Sequence, residues 1–242
     1  MSLLADLTTD DSIVESKDSV GGGYAPKPSG IYDAVIKAAY ITIAASGAKA
    51  VNLIADINGT EYRETLYITN KKGQNFYLNQ EGVKNYLPSF TTVNDLALLI
   101  TGQPLAKLDT EKKVLKIWNK DQNKEVPTDV PCITALHGKP VKLGILEEIT
   151  FKQVKDANGN YVDTPETRTS NVINKVFHAS TGKTVNEYKA KAETAEFIDK
   201  WKAKWDGKPN DKTAGKTPKG SASAPRTANT ATAPKAASSL FA

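Results

Sequence analysis

The chain has 242 residues, a net charge of +5, one cysteine and two histidines. A lone thiol excludes an internal disulfide framework, and with two imidazoles it leaves a zinc site short of ligands unless carboxylates complete it, so no cofactor is expected. The start MSLLADL is too short and too acidic for a signal peptide, and no apolar run reaches membrane-spanning length; a cytoplasmic protein without membrane contact is expected.

The charge is unevenly placed. Residues 1–22 carry Asp6, Asp10, Asp11, Glu15 and Asp18 against Lys17, whereas residues 206–242 carry six cations against Asp206 and Asp211. A basic body between one acidic and one basic arm suits a protein that binds a polyanion. Residues 1–28 read as a flexible acidic arm, broken by Gly21-Gly22-Gly23 and by the Pro26-Lys27-Pro28 step. The triple glycine lacks the preceding strand and following helix of a phosphate cradle.

From Ser29, SGIYDAVIKAAYITIAA reads as a long strand, with Tyr32, Ala34, Ile36, Ala38 and Tyr40 in one alternating set and Val35, Lys37, Ala39 and Ile41 in the other. The strongest signal follows, in Lys49–Tyr77. Two alternating runs meet at Asn58-Gly59, a pair that accepts the positive φ of both central residues of a type I′ turn. A two-residue turn sets Ile57 opposite Thr60, Ile54 opposite Arg63 and Ala50 opposite Tyr67. One face then holds Val51, Leu53, Ala55, Ile57, Tyr62 and Leu66, which suits a core. The other holds Asn52, Ile54, Asp56, Arg63, Thr65 and Tyr67, and Lys71, Lys72, Phe76 and Tyr77 come directly after.

Asn79–Tyr86 reads as a short helical turn. Thr91–Thr101 reads as a helix capped by Thr91 or Thr92, with Asp95 near its positive end and Gly102 and Pro104 closing it, of the kind that plugs one end of a barrel. KKVLKIWNK gives a strand with Lys112, Val114, Lys116, Trp118 and Lys120 on one face and Leu115 and Ile117 on the other. Pro140–Val154 is a further strand, with Val141, Leu143, Ile145, Ile149 and Phe151 in phase and Glu147 marking an edge or bulge. Asn158-Gly159 marks a hairpin tip and Asn171–Phe177 the closing strand. Thr184–Trp205 reads as one amphipathic helix with a Thr184/Glu187 capping box. Beyond Gly207 the Lys/Thr/Pro/Ala/Ser composition cannot bury enough surface to fold alone. Several strands around one internal helix argue an antiparallel barrel or sandwich.

No nucleophile-elbow, phosphate-loop, metalloprotease or CxxC spacing occurs, so a non-enzyme is expected. His137 reads as a loop residue, His178 as a strand-end cap, and Glu147-Glu148 as an edge-strand solubility device. The basic and aromatic residues form the candidate site: Lys37, Tyr40, Arg63, Tyr67, Lys71, Lys72, Phe76, Tyr77, Lys116, Trp118, Lys120 and Lys152. Single-stranded nucleic acid is held by cations along its phosphates and by rings that stack bases, about 1–3 kcal/mol per base.

The segments SGIYDAVIKAAYI, TEYRETLYITNKKGQ and YLPSFTTVNDLALLITGQPL resemble single-stranded-DNA-binding proteins of tailed bacteriophages, over roughly residues 29–178. The resemblance implies a mainly β chain: an oligonucleotide-binding (OB) fold, an antiparallel five-stranded barrel with an inserted helix, spanning residues 29–182. A C-terminal amphipathic helix at 183–206 and a disordered basic tail at 207–242 would follow. It also implies a protein that coats single-stranded DNA in phage replication, recombination and repair, without catalysis and largely independent of sequence. Many such proteins end in an acidic tail with a terminal aromatic. Here the C-terminal tail is basic and ends Leu240-Phe241-Ala242, while the acidic arm is N-terminal. Double-stranded DNA on the basic tail and phage replication proteins on the arms are further expected partners. The alternative is a phage structural or assembly protein whose β-domain self-associates.

Overall fold

The computed structural model describes residues 25–119, 121–157 and 159–219. Residues 1–24 of the acidic arm, with its triple glycine, Lys120, Asn158 of the expected hairpin tip, and residues 220–242 with the Leu240-Phe241-Ala242 tip lie outside the described residues. The strands are β1 (Gly30–Ile43), β2 (Lys49–Ile57), β3 (Thr60–Tyr67), β4 (Phe76–Leu78), β5 (Lys84–Tyr86), β6 (Glu111–Asn119), β7 (Lys124–Cys132), β8 (Pro140–Lys155), β9 (Tyr161–Phe177) and β10 (Asn210–Asp211). The helices are α1 (Pro88–Thr101), α2 (Val185–Lys189) and α3 (Glu196–Trp205).

The first hairpin follows directly from its turn. Asn58 and Gly59 take φ of 53° and 78°, and the register runs Ile57–Thr60, Ile54–Arg63, Ala50–Tyr67 as the Asn-Gly signal dictates. The alternation read for β1 holds only for its first half. The register against β2 slips between Ile36 and Ala38, so Lys37 is the extra residue of a bulge. Ala34 and Ile36 therefore enter the main core, but beyond the bulge Ala39 takes that side, and Ala38 and Tyr40 turn to the opposite face.

Five strands of an eight-stranded sheet lie in the order β9-β8-β1-β2-β3, all antiparallel. Among the described residues no ladder joins β3 back to β9, so the expected barrel is not closed. α1 packs against both edge strands and puts Val93 and Leu96 into a core with Ile36, Val51, Leu53, Leu143, Ile145 and Val176. That helix begins at Pro88, three residues earlier than its threonines suggest. Leu87 takes the cap position with no side-chain bond, Pro88 occupies the first turn, and Gly102 ends it at φ 73°. Asp95 is not near its start but partway along, buried and paired with Lys175 at 3.2 Å.

β6 and β7 form a hairpin that folds over the other face of β1 and β2. Leu115 and Ile117 meet Tyr40, Ile54, Val130 and Cys132 in a second core. β7 carries Pro127 and Pro131, which mask it as a strand in the sequence. The ring nitrogens cost little here, because the far edge of β7 meets β1 only at Cys132.

Asn79–Tyr86 is not a helical turn but the tip and second strand of the β4–β5 hairpin. Asn79 Oδ1 accepts from the Glu81 and Val83 amides, and Gly82 takes φ 77°. The preceding loop repeats the device: Asn70 Oδ1 accepts from the Lys72 and Gln74 amides, and Gly73 takes φ 76°. Asn-x-x-Gly-x is thus the local signal for both turns.

The C-terminal helix is also split. The Thr184/Glu187 capping box is present, but α2 ends at Lys189, and Lys191 takes φ 52°. Glu187 explains the restart: its Oε1 accepts from the Phe197 amide at 2.8 Å, so one carboxylate serves the first turns of α2 and α3. Burial opposes its charge, but the Thr184 and Phe197 amides outweigh that and hold Glu187 below the usual carboxylate range. α3 then buries Trp201 against Leu146 and Phe177.

Of the tail, residues 207–219 are described, and they take defined structure, contrary to what their composition suggests. β10 runs parallel to β8 at Glu148 and Ile149, Lys212 donates to the Ile149 carbonyl at 2.9 Å, and Asp163 and Lys219 exchange two bonds. At the other end, Lys27 is tied to Asn171 by two bonds of 2.7 Å. Borrowed hydrogen-bond partners on β8 and β9 order segments that bury little apolar surface themselves.

Candidate nucleic-acid interface

The outer face of β2 and β3 carries Asn52, Thr65, Arg63 and Tyr67, as the hairpin register requires. Asn52 Nδ2 donates to Thr42 Oγ1 and its Oδ1 accepts from Thr65 Oγ1, each at 2.8 Å, which stiffens this face. The β6–β7 hairpin forms one wall. Lys112, Val114, Lys116 and Trp118 point away from its inner apolar row, and Trp118 is 52% exposed. The wall is tied to the sheet by Arg63, whose guanidinium lies 3.2 Å from Glu125, directly across the ladder from Trp118. Tyr67, 51% exposed, sits four residues along β3 from Arg63, roughly 13 Å at the usual strand rise.

The twelve sequence candidates fare differently. Tyr40 is a correction: the β6–β7 hairpin covers it, it is 7% exposed, and burial pushes its phenol pKa up, so it cannot stack a base. Lys37, Arg63 and Lys152 are exposed but paired with carboxylates. Lys37 lies 3.6 Å from Asp56, Lys152 lies 2.7 Å from Glu166, and Arg63 bonds Glu61 as well as Glu125. Lys71, Lys72 and Lys116 enter none of the ion pairs among the described residues, and all are exposed. Lys120 lies outside the described residues.

Phe76 and Tyr77 are neighbours on β4 and so point to opposite faces of the β4–β5 hairpin. Tyr77 is 46% exposed, whereas Phe76 is half-buried with the Lys84 ammonium over its ring, 4.9 Å from the centroid. Lys84 and Tyr86, hidden in the stretch that reads as a helical turn, were missed. The signal that finds them is the second Asn-x-x-Gly-x, which makes their segment a strand.

Sequence reading also passed over Glu64. It stands on the core-facing row of β3, between Tyr62 and Leu66 and opposite Leu53. Its Oε2 accepts from the Tyr62 hydroxyl at 2.6 Å and from the Ile173 amide of β9 at 2.8 Å. One carboxylate therefore spans the gap that no ladder closes. It lines a cleft of about 560 Å³ with Asp95, Lys175, Glu148 and Lys212.

Burial pushes the Glu64 pKa above the usual 4.5, more than the bonds from Tyr62 and Ile173 pull it down, and Glu148 adds to the rise. A carboxyl raised on folding stabilises most below its unfolded pKa and loses that contribution as pH climbs through the folded value. The stability of wild type relative to Glu64→Gln is therefore expected to fall as pH rises from about 4 toward neutrality. Urea midpoints across that range check this; a difference that grows with pH would contradict it.

No protein-family model matches the chain, and no curated protein matches it in sequence.

Proposed function

We propose that this chain is a non-catalytic single-stranded-DNA-binding protein of the phage kind its segments resemble, built on an opened OB-like barrel. OB folds are five-stranded, partly open barrels that bind oligonucleotides on the face of their second and third strands. The order β3-β2-β1-β8-β9, with a helix after the third strand, supports that reading, and β2 and β3 carry the candidate face. The observation that carries the proposal is the nearness of exposed cations and exposed rings to this face. Lys71 and Lys72 follow directly on β3, which ends in the exposed Tyr67, and Lys116 shares its face of β6 with the exposed Trp118; none of these three lysines enters an ion pair among the described residues. A strand laid there meets cations for its phosphates and rings for its bases, with no groups arranged to read one base over another, so sequence preference is weak.

The test is a salt series with labelled oligothymidine. Each phosphate neutralised on a single strand contributes about −0.7 to the slope of log K against log salt. Lys71→Ala combined with Lys72→Ala should make the slope shallower by about 1.4, whereas Lys37→Ala and Lys152→Ala should leave it unchanged. An unaltered slope in the double variant would sink this placement of the strand.

A further inference from the structure

The β4–β5 hairpin carries an arrangement that the groove does not use. Phe76 pairs with Tyr86 and Leu78 with Lys84 across its ladder, so these four side chains share one face. Tyr86 is 64% exposed, more than Tyr67 or Trp118. Its ring is backed by Phe90 of α1, with centroids 5.0 Å apart and planes tilted 41°. Lys84 is held in place over Phe76. The hairpin is anchored at its base, where the Leu87 amide donates to the Asn75 carbonyl at 2.9 Å, and the Lys71–Lys72 loop adjoins that base through Asn70. From Tyr67 to Asn94 the only carboxylate is Glu81, at the hairpin tip, against three lysines.

We infer that this hairpin is a second grip on single-stranded DNA, in which Tyr86 stacks an unpaired base and Lys84 meets a neighbouring phosphate. The inference rests on the single-stranded-DNA reading and extends it beyond the β2–β3 face. Each part has its role in the geometry. Phe90 limits the motion of the Tyr86 ring, which lowers the entropy lost when a base stacks on it. Phe76 fixes the Lys84 ammonium beside that ring by a cation–π contact. A duplex buries its base faces in its own stack and offers Tyr86 nothing to cover, so the grip favours single strands. The lysines at the base and on the face favour a polyanion over an apolar or basic protein surface as the occupant.

The experiment compares wild type, Tyr86→Ala, Lys84→Ala and Trp118→Ala against labelled oligothymidine, with sedimentation of each protein alone. Oligothymidine substituted with 5-iodouracil is crosslinked in parallel and the adducts are mapped by mass spectrometry. Tyr86→Ala should weaken binding about tenfold with its melting temperature unchanged, and Lys84→Ala should make the salt slope shallower by about 0.7. Adducts should fall on the peptide that contains Tyr86. Wild-type affinity in both hairpin variants, with Trp118→Ala impaired, would overturn this inference and leave the groove standing. Absence of binding by the wild type would overturn the underlying reading instead. Loss of an oligomer in Tyr86→Ala with DNA affinity intact would make the face a protein contact and contradict the inference.

Discussion

Tyr67→Ala and Trp118→Ala are each expected to weaken oligothymidine binding by about 1–3 kcal/mol, roughly 5- to 150-fold, and the double variant by more than either. Both rings are about half exposed, so their loss leaves no cavity. Neither is needed to hold its strand. Tyr67 ends a ladder fixed by the Asn58-Gly59 turn, and Trp118 lies on the side of β6 away from Leu115 and Ile117, which anchor the hairpin. Melting temperatures should therefore stay within a few degrees of wild type while affinity falls. Trp118→Phe should recover part of the loss, because a smaller ring still stacks. Wild-type affinity in the double variant would remove the groove from the account. Lowered melting in step with affinity would mean that the rings are structural.

Trp201→Ala is expected to cost about 3–5 kcal/mol of stability. The indole is 4% exposed and meets Phe177 edge-on at 6.5 Å between centroids, and Nε1 donates to Asn174 Oδ1 at 2.8 Å. It also covers Gly144: a Cβ there would stand 3.2 Å from both Trp201 and Phe177 ring atoms. Removing the indole takes away the buried anchor of α3 against Leu146 and Phe177. Urea denaturation should show the drop in midpoint. Gly144→Ala should also destabilise, since two packed rings must shift to admit a methyl group. A Trp201→Ala loss below about 1 kcal/mol would mean that α3 is only loosely docked.

What the sequence made legible was local. Asn58-Gly59 dictates its hairpin register from two residues, and Leu115 and Ile117 read as the apolar side of their strand without any knowledge of the fold. What it concealed depends on residues far apart in the chain. The bulge at Lys37 reverses the second half of β1, and no feature of Lys37 announces it. Tyr40 is buried by a hairpin that begins some seventy residues later. Arg63 is paired by Glu61 on its own strand, but its bond to Glu125, 62 residues away, exists only once the β6–β7 hairpin is in place. Glu64 shares the core phase of Tyr62 and Leu66, but its use is visible only with Ile173, 109 residues on, in place. Composition also misjudged residues 207–219, because a segment that cannot fold alone can still take its hydrogen bonds from a neighbouring sheet.

The central claim is that the outer face of β2 and β3, with Tyr67, the adjoining Lys71–Lys72 loop and the Lys116 and Trp118 side of β6, holds a single strand. Its most direct test is a fluorescence-anisotropy titration of the full chain with labelled oligothymidine across salt concentrations, set beside a matching duplex. The account predicts tight binding to the single strand at low salt, weakening by about 0.7 in log–log slope per phosphate contacted, and weaker binding to the duplex. No binding at low salt would contradict it, and equal affinity for the duplex would move the interaction off this face and onto the basic tail.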